Sequence, residues 1–403
     1  MNVRIPLPLL LDGATATNLI QAGMPSEQCP ELWMLDNPDI LIGLQESFIN
    51  AGSDLLYTPT YTTNHEKLNE YDMDNELVRF NKELAQITKL VAGNKLVAGC
   101  LSSINYEAEP FGDIPFMDII SLYADQAFAL KDGGVDLLVC DSLTSLAQCR
   151  GAIIGCRQTG LPVMVTISVD EDGQTSDGCT ALSAMIVAQS LGVTAFGLSC
   201  CNTPLSLIKP ISEMIPYAKI PLIARPNAGT HGNIISPEEM AKEMRPLLEL
   251  GVQIIGACCN STAAHIAKLR ELIDTFNFAS VKLEKVPDDI IIMCSDTEAY
   301  FLDEMFELSD EITCRLDMSD LFLELEQSCF HVACIVIDSI EDAYTFCMNS
   351  HMLRMPVAFL SDNEEALEMA LLMYNGRAFI DARSSIDEDI LNNLAAHYGA
   401  VIR

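Results

Sequence analysis

The chain has 403 residues, 49% of them hydrophobic, and a formal net charge of -34 at pH 7. That length accommodates one large domain of about 250 to 300 residues and a smaller one. The charge argues against nucleic acids and anionic membranes as partners, because binding their phosphates takes clustered Lys and Arg. No apolar run approaches the roughly 20 residues of a membrane span. The opening, Met1-Asn-Val-Arg-Ile-Pro-Leu-Pro8, carries one positive charge and is broken by prolines, so it makes a poor secretory signal. Fifteen cysteines are scattered rather than densely framed, which points to a reducing, cytoplasmic setting.

Strand-like apolar runs recur at Leu9–Leu11, Leu55–Thr58, Leu96–Leu101, Val135–Cys140, Pro162–Val169, Ala195–Ser199, Pro221–Ala224 and Val252–Ala257. Between them lie stretches of helical periodicity, such as Asn75 to Val91, Met117 to Lys131 and Ser236 to Leu250. In the last of these, Ser236-Pro-Glu-Glu239 reads as an N-cap serine, a proline at the first helical position and acids in the first turn. Eight alternating units predict a (β/α)8 barrel over residues 1–276, with a doubly wound open sheet as the competitor. A connector follows at 277–287. A smaller αβ domain is expected at 288–403, with strands at Asp289–Met293, His331–Asp338, Met355–Leu360 and Arg377–Asp381, about half a barrel. From Val286 onward there are 24 acidic residues against five Arg and no Lys, so this part reads first as a solvated acidic surface and second as a docking face for a basic protein.

Polar residues fall at the ends of the predicted strands: Asp12 after the first, Thr58 after the second, Asp141 and Ser142 after the fourth, Cys200 after the sixth, Asn227 after the seventh, and Cys258 with Cys259 after the eighth. In a barrel these ends form the catalytic face, although for any one of these side chains helix capping is the simpler role. The cysteine runs Gly197-Leu-Ser-Cys-Cys201 and Gly256-Ala-Cys-Cys259 offer three or more thiolates from two strand ends. Three soft ligands and an open fourth position suit a zinc ion that activates a substrate.

Several motifs, in order, give the chain its resemblance to a known family. Leu11-Asp-Gly-Ala-Thr-Ala-Thr-Asn18, Gly52-Ser-Asp-Leu-Leu-Tyr-Thr-Pro-Thr-Tyr61, Pro226-Asn-Ala-Gly229 and the two cysteine runs resemble those of the homocysteine S-methyltransferases, over about residues 5 to 275. The resemblance implies zinc bound by Cys200, Cys258 and Cys259, with Cys201 a neighbour. It implies that Asp12 and Asp141 hold the homocysteine ammonium in catalysis, with Thr58, Ser142 and Asn227 as further substrate-site candidates. The chain departs from the family pattern at Ala16, Ser199, Ala257 and Asn260, and in the loop Leu101–Asn105.

The C-terminal part resembles the first half of the pterin-binding barrel that follows the homocysteine module in cobalamin-dependent methionine synthases, through Met355–Asp362 and Asn375–Ala382. None of the six histidines has Asp two residues before it, so the Asp-x-His-x-x-Gly cobalamin signature is absent. The expectation is therefore a zinc-dependent enzyme making methionine from homocysteine, with methylcobalamin carried by a separate corrinoid protein. A sulfonium or betaine-type donor such as S-methylmethionine is the alternative within the class. Outside it, the alternative is a non-catalytic subunit that binds zinc or homocysteine for assembly or sensing.

Overall fold

The computed structural model describes residues 5–230, 232–287 and 290–403. Eight parallel strands are β1 (Leu9–Leu10), β2 (Leu55–Tyr57), β3 (Leu96–Ser102), β4 (Leu137–Leu143), β5 (Val163–Ile167), β6 (Ala195–Ser199), β7 (Leu222–Arg225) and β8 (Ile254–Ile255). From β2 to β8 each pairs in parallel with the next, and β8 pairs with β1, leaving β1 and β2 as the two edges that face each other. The remaining gap is bridged where the Asp54 N–H donates to the Leu10 carbonyl at 2.8 Å and the Leu10 N–H donates to the Asp54 carboxylate at 3.1 Å. This is the expected (β/α)8 barrel. Its helices include Leu77–Ala92, Phe116–Asp132 and Pro237–Glu249, the last capped by the Ser236 hydroxyl as the sequence pattern predicted.

Side chains alternate across each strand. Leu9, Leu11, Leu55, Tyr57, Ala98, Cys100, Leu137, Val139, Met164, Ala195, Ile223 and Ile254 pack together inside the barrel. A larger apolar shell lies between strands and helices. Two steps along the inward register bring Asp141 after Val139, Thr166 after Met164, Arg225 after Ile223 and, four steps on from Ala195, Ser199. The barrel therefore changes from apolar layers to a polar one at the C-terminal ends of its strands.

The C-terminal region differs in detail from the prediction. Its first strand, β9 (Ile291–Cys294), forms an antiparallel hairpin with β10 (Ala299–Leu302), and Asp289, where that strand was expected to begin, lies outside the described residues. The parallel sheet consists of β11 (Leu308–Thr313), β12 (Val332–Val336), β13 (Val357–Leu360), β14 (Phe379–Ile380) and β15 (Val401–Ile402), in sequential order. Sequential parallel order is that of half a barrel. β11 escaped prediction because Leu308-Ser-Asp-Glu-Ile-Thr313 is an acidic edge strand with a register shift between Leu308 and Glu311, which breaks the period-2 pattern.

The two parts pack along the barrel helices that follow β4 and β5. Fully buried Arg150 donates to the Leu371 and Leu372 carbonyls, near the end of the helix Glu364–Met373. Thr180 donates through its backbone to the Thr297 carbonyl at 2.9 Å.

Candidate metal centre and acceptor site

Cys200, Cys258 and Cys259 converge where β6 and β8 end, with Cys258 the most enclosed of the three and their sulfurs within 4.8 Å of one another. The Cys200–Cys259 and Cys258–Cys259 sulfur distances are 3.9 and 4.0 Å. Four sulfurs placed tetrahedrally at about 2.3 Å from zinc lie about 3.8 Å apart, so the triad has the spacing of three corners of such a site. Cys201 turns away, towards the Val169 and Ser199 carbonyls and the apolar shell.

Local backbone conformation sets this geometry. Cys200 adopts φ 56°, a left-handed conformation uncommon for a non-glycine residue, and so parts its side chain from that of Cys201. Asn260, in place of a glycine, has φ 65° and donates from its amide to the Gly229 carbonyl at 2.9 Å. Asparagine tolerates this conformation better than most residues, so the substitution keeps the turn.

Hydrogen bonds among the three thiols act first on their acidity. They pull Cys200 down through Cys258 and up through Cys259, and with burial the net result is about 11 for Cys200. Cys258 is raised by Cys200, lowered by Cys259 and raised by burial, to about 12. Cys259 is lowered by Cys200, raised by Cys258 and by burial, to about 11. Without metal the three are thiols at neutral pH.

The acids predicted to hold substrate lie beside the triad, and both are already bonded to an arginine. Arg225, 6% exposed, donates from Nη1 to Asp141 Oδ2 at 3.1 Å and to Cys258 Sγ at 3.6 Å. Its Nη2 donates to Asp12 Oδ1 and to the Gly13 carbonyl, each at 3.4 Å. The guanidinium lies 4.5 Å from the centre of the Tyr57 ring, and Nε has no partner among the described residues. Burial opposes the charge of Arg225, but Asp141, Cys258 and Asp12 outweigh it. Burial pushes the Asp12 carboxyl up to about 6, against the pull of Arg225 and of the Tyr57 N–H, which donates to it at 2.8 Å.

The remaining candidates are bonded within the protein. Thr58 accepts from the Cys100 N–H and shares a 2.6 Å hydrogen bond with Thr60. Ser142 donates to Asp141 and pairs with Ser199, while Thr166 donates to the other Asp141 oxygen and also pairs with Ser199. Asn227 bridges the cysteine loops: its carbonyl oxygen accepts from the Cys259 N–H at 3.0 Å and its amide donates to the Cys200 carbonyl at 3.3 Å.

Sequence reasoning missed Arg225, Thr166 and Ser199 as parts of this cluster. A signal was present, since Arg225 stands two residues after Ile223, on the inward register of a strand whose next residues are Pro226-Asn-Ala-Gly229. An inward arginine at a barrel mouth demands acidic partners, and Asp12 and Asp141 were already candidates.

Residues 9–273 match the family described as homocysteine S-methyltransferase. The chain is 25% identical over 297 residues to the methionine synthase of Mycobacterium leprae (strain TN), an alignment covering 67% of this chain and 24% of that protein. It is likewise 25% identical over 285 residues to the methionine synthase of Mycobacterium tuberculosis (strain ATCC 25618 / H37Rv), covering 64% and 24%. It thus spans about a quarter of the length of these curated relatives. Among solved structures, the metallated homocysteine methyltransferase MmuM from Escherichia coli superposes with a TM-score of 0.57 at 20% identity, covering 65% of this chain and 95% of that one, and so shares the barrel fold. Motif order, barrel and thiol triad agree, and the chain belongs to the homocysteine S-methyltransferase family.

Proposed function

We propose that this chain is a zinc-dependent homocysteine S-methyltransferase that makes methionine, with the methyl group delivered by a methyl-corrinoid on a separate protein. The observation that carries this reading is the triad of Cys200, Cys258 and Cys259, spaced for zinc at the barrel mouth beside Asp12 and Asp141. Zinc held there supplies a Lewis acid that lowers the pKa of an incoming thiol while leaving its sulfur electron-rich.

The chain's own residues do the rest. Asn227 fixes the two cysteine loops relative to each other. Thr166 and Ser142 hold the Asp141 carboxylate, and the Tyr57 N–H holds that of Asp12, so both acids are oriented before substrate arrives. Acids held in this way suit the substrate ammonium through charge-assisted hydrogen bonds. Alignment of the acceptor sulfur with the donor methyl supplies much of the acceleration in a reaction that joins two substrates. In this reading residues 1–276 form the acceptor module, 277–287 the connector, and 288–403 a structural or docking domain without a folate site of its own. The resemblance of that last domain to the methionine synthase pterin barrel supports the corrinoid donor.

One observation favours the second reading, a subunit that binds zinc or homocysteine without turnover: Arg225 already engages both acids. An assay of zinc-loaded protein with homocysteine and free methylcobalamin, S-methylmethionine or betaine separates the two. Methionine from any donor supports the enzyme, and none from all three supports the binding subunit. Metal analysis of Cys200→Ala and Cys258→Ala tests the site independently, and full zinc retention in both would sink it.

A further inference from the structure

We propose that Arg225 is a specificity determinant of the acceptor site, and that it receives the carboxylate of a zwitterionic thiol after exchanging places with the substrate ammonium at Asp12 and Asp141. The inference rests on the acceptor reading above and assigns a residue to it. Around the thiol triad the protein fixes two carboxylates and one guanidinium, all nearly sealed from water. The guanidinium has four of its five N–H groups directed to Asp141, Cys258, Asp12 and Gly13, and the fifth, on Nε, has no partner among the described residues.

An arriving ammonium competes for the carboxylates that Arg225 holds. A buried guanidinium left short of anions is strongly disfavoured, so a ligand that takes the acids must return an anion to the arginine. An α-amino acid does both, because its ammonium and carboxylate are one carbon apart and the planar guanidinium presents two parallel N–H groups to a carboxylate. A thiol with an amine and no carboxylate leaves Arg225 underpaired. A thiol with a carboxylate and no amine adds a third anion to two acids that share one cation. Charge balance therefore selects the zwitterion, and Arg225 makes that selection stricter than the acids alone.

The test is equilibrium binding to the full chain loaded with cobalt in place of zinc, read from the sulfur-to-metal charge-transfer band, which needs no turnover. L-homocysteine is compared with 3-mercaptopropylamine, which lacks the carboxylate, and 4-mercaptobutyrate, which lacks the amine. The expected result is homocysteine tighter than either by about tenfold or more, with R225M bringing 3-mercaptopropylamine to within about threefold of homocysteine and R225K restoring part of the preference. If wild-type protein binds 3-mercaptopropylamine as tightly as homocysteine, Arg225 reads no carboxylate. If 4-mercaptobutyrate equals or exceeds homocysteine, Arg225 fills the amine subsite permanently. Either result overturns the inference while leaving a thiol site in place, and the wild-type comparison decides even if R225M fails to fold. Absence of a new band with all three thiols instead overturns the acceptor reading, and this inference with it.

Discussion

The Asn227 side chain joins the two halves of the thiol triad, accepting from the Cys259 N–H at 3.0 Å and donating to the Cys200 carbonyl at 3.3 Å. The three thiols come from the ends of strands β6 and β8, and the asparagine between them comes from the end of β7. Partners of this kind hold metal ligands at the required separation before the metal arrives. Asn227→Ala is expected to weaken zinc binding by about 10- to 100-fold and to cost about 1–3 kcal/mol of stability through the two abandoned backbone groups. Competition with a chromophoric chelator measures the first and urea unfolding the second. Unchanged zinc affinity would mean that the loops keep their geometry without it.

Zinc uptake should release protons. With Cys200 raised to about 11, Cys258 to about 12 and Cys259 to about 11, the metal-free thiols are protonated throughout the neutral range. Binding a metal as three thiolates then releases about three protons at pH 7. Apparent affinity must rise with pH across that range, because protons compete for the same sulfurs. Calorimetry in buffers of different protonation enthalpy counts the protons. A count near zero would show thiolates formed before the metal binds, or ligands other than these three.

Gly197 marks a close approach of β6 to β7. A Cβ placed there would lie 2.0 Å from the Ile223 carbonyl oxygen, on the strand that carries Arg225. Gly197→Ala must push that strand aside, with a loss of more than about 3 kcal/mol and weakened zinc binding. Denaturant unfolding with parallel metal analysis checks both, and wild-type stability in the variant would contradict the close approach.

Asp296 lies in the hairpin turn that meets the barrel. Its Oδ2 accepts from Ser350 at 3.4 Å, while Oδ1 is sealed from solvent with no partner among the described residues. Burial pushes the carboxyl up to about 6, against the lowering effect of the Ser350 hydrogen bond. Between about pH 4 and 6 the folded protein therefore holds a proton that the unfolded chain has lost, so stability declines as pH rises through this window. Asp296→Asn is expected to stabilise the protein at pH 7 by about 1–2 kcal/mol and to have little effect at pH 4. Urea midpoints at the two pH values test this. Equal midpoint shifts at both would exclude proton linkage at this carboxyl.

The barrel was legible in the sequence because eight apolar runs alternate with amphipathic helices, and both periodicities are local properties of the chain. The same local reading brought Asp12, Asp141, Cys200, Cys258 and Cys259 to one face, since a parallel barrel places every strand end on the same side. It could not reveal which groups pair once they arrive there. Arg225 and Asp12 are 213 residues apart, and their contact follows from barrel closure and from the inward register that carries a charge into a buried layer. The folded chain also settled the geometry of the cysteines, separating Cys200 from Cys201 by a left-handed backbone turn. Composition and spacing name the donors, but burial and the angles between strand ends decide which sulfurs meet and which charges must be shared.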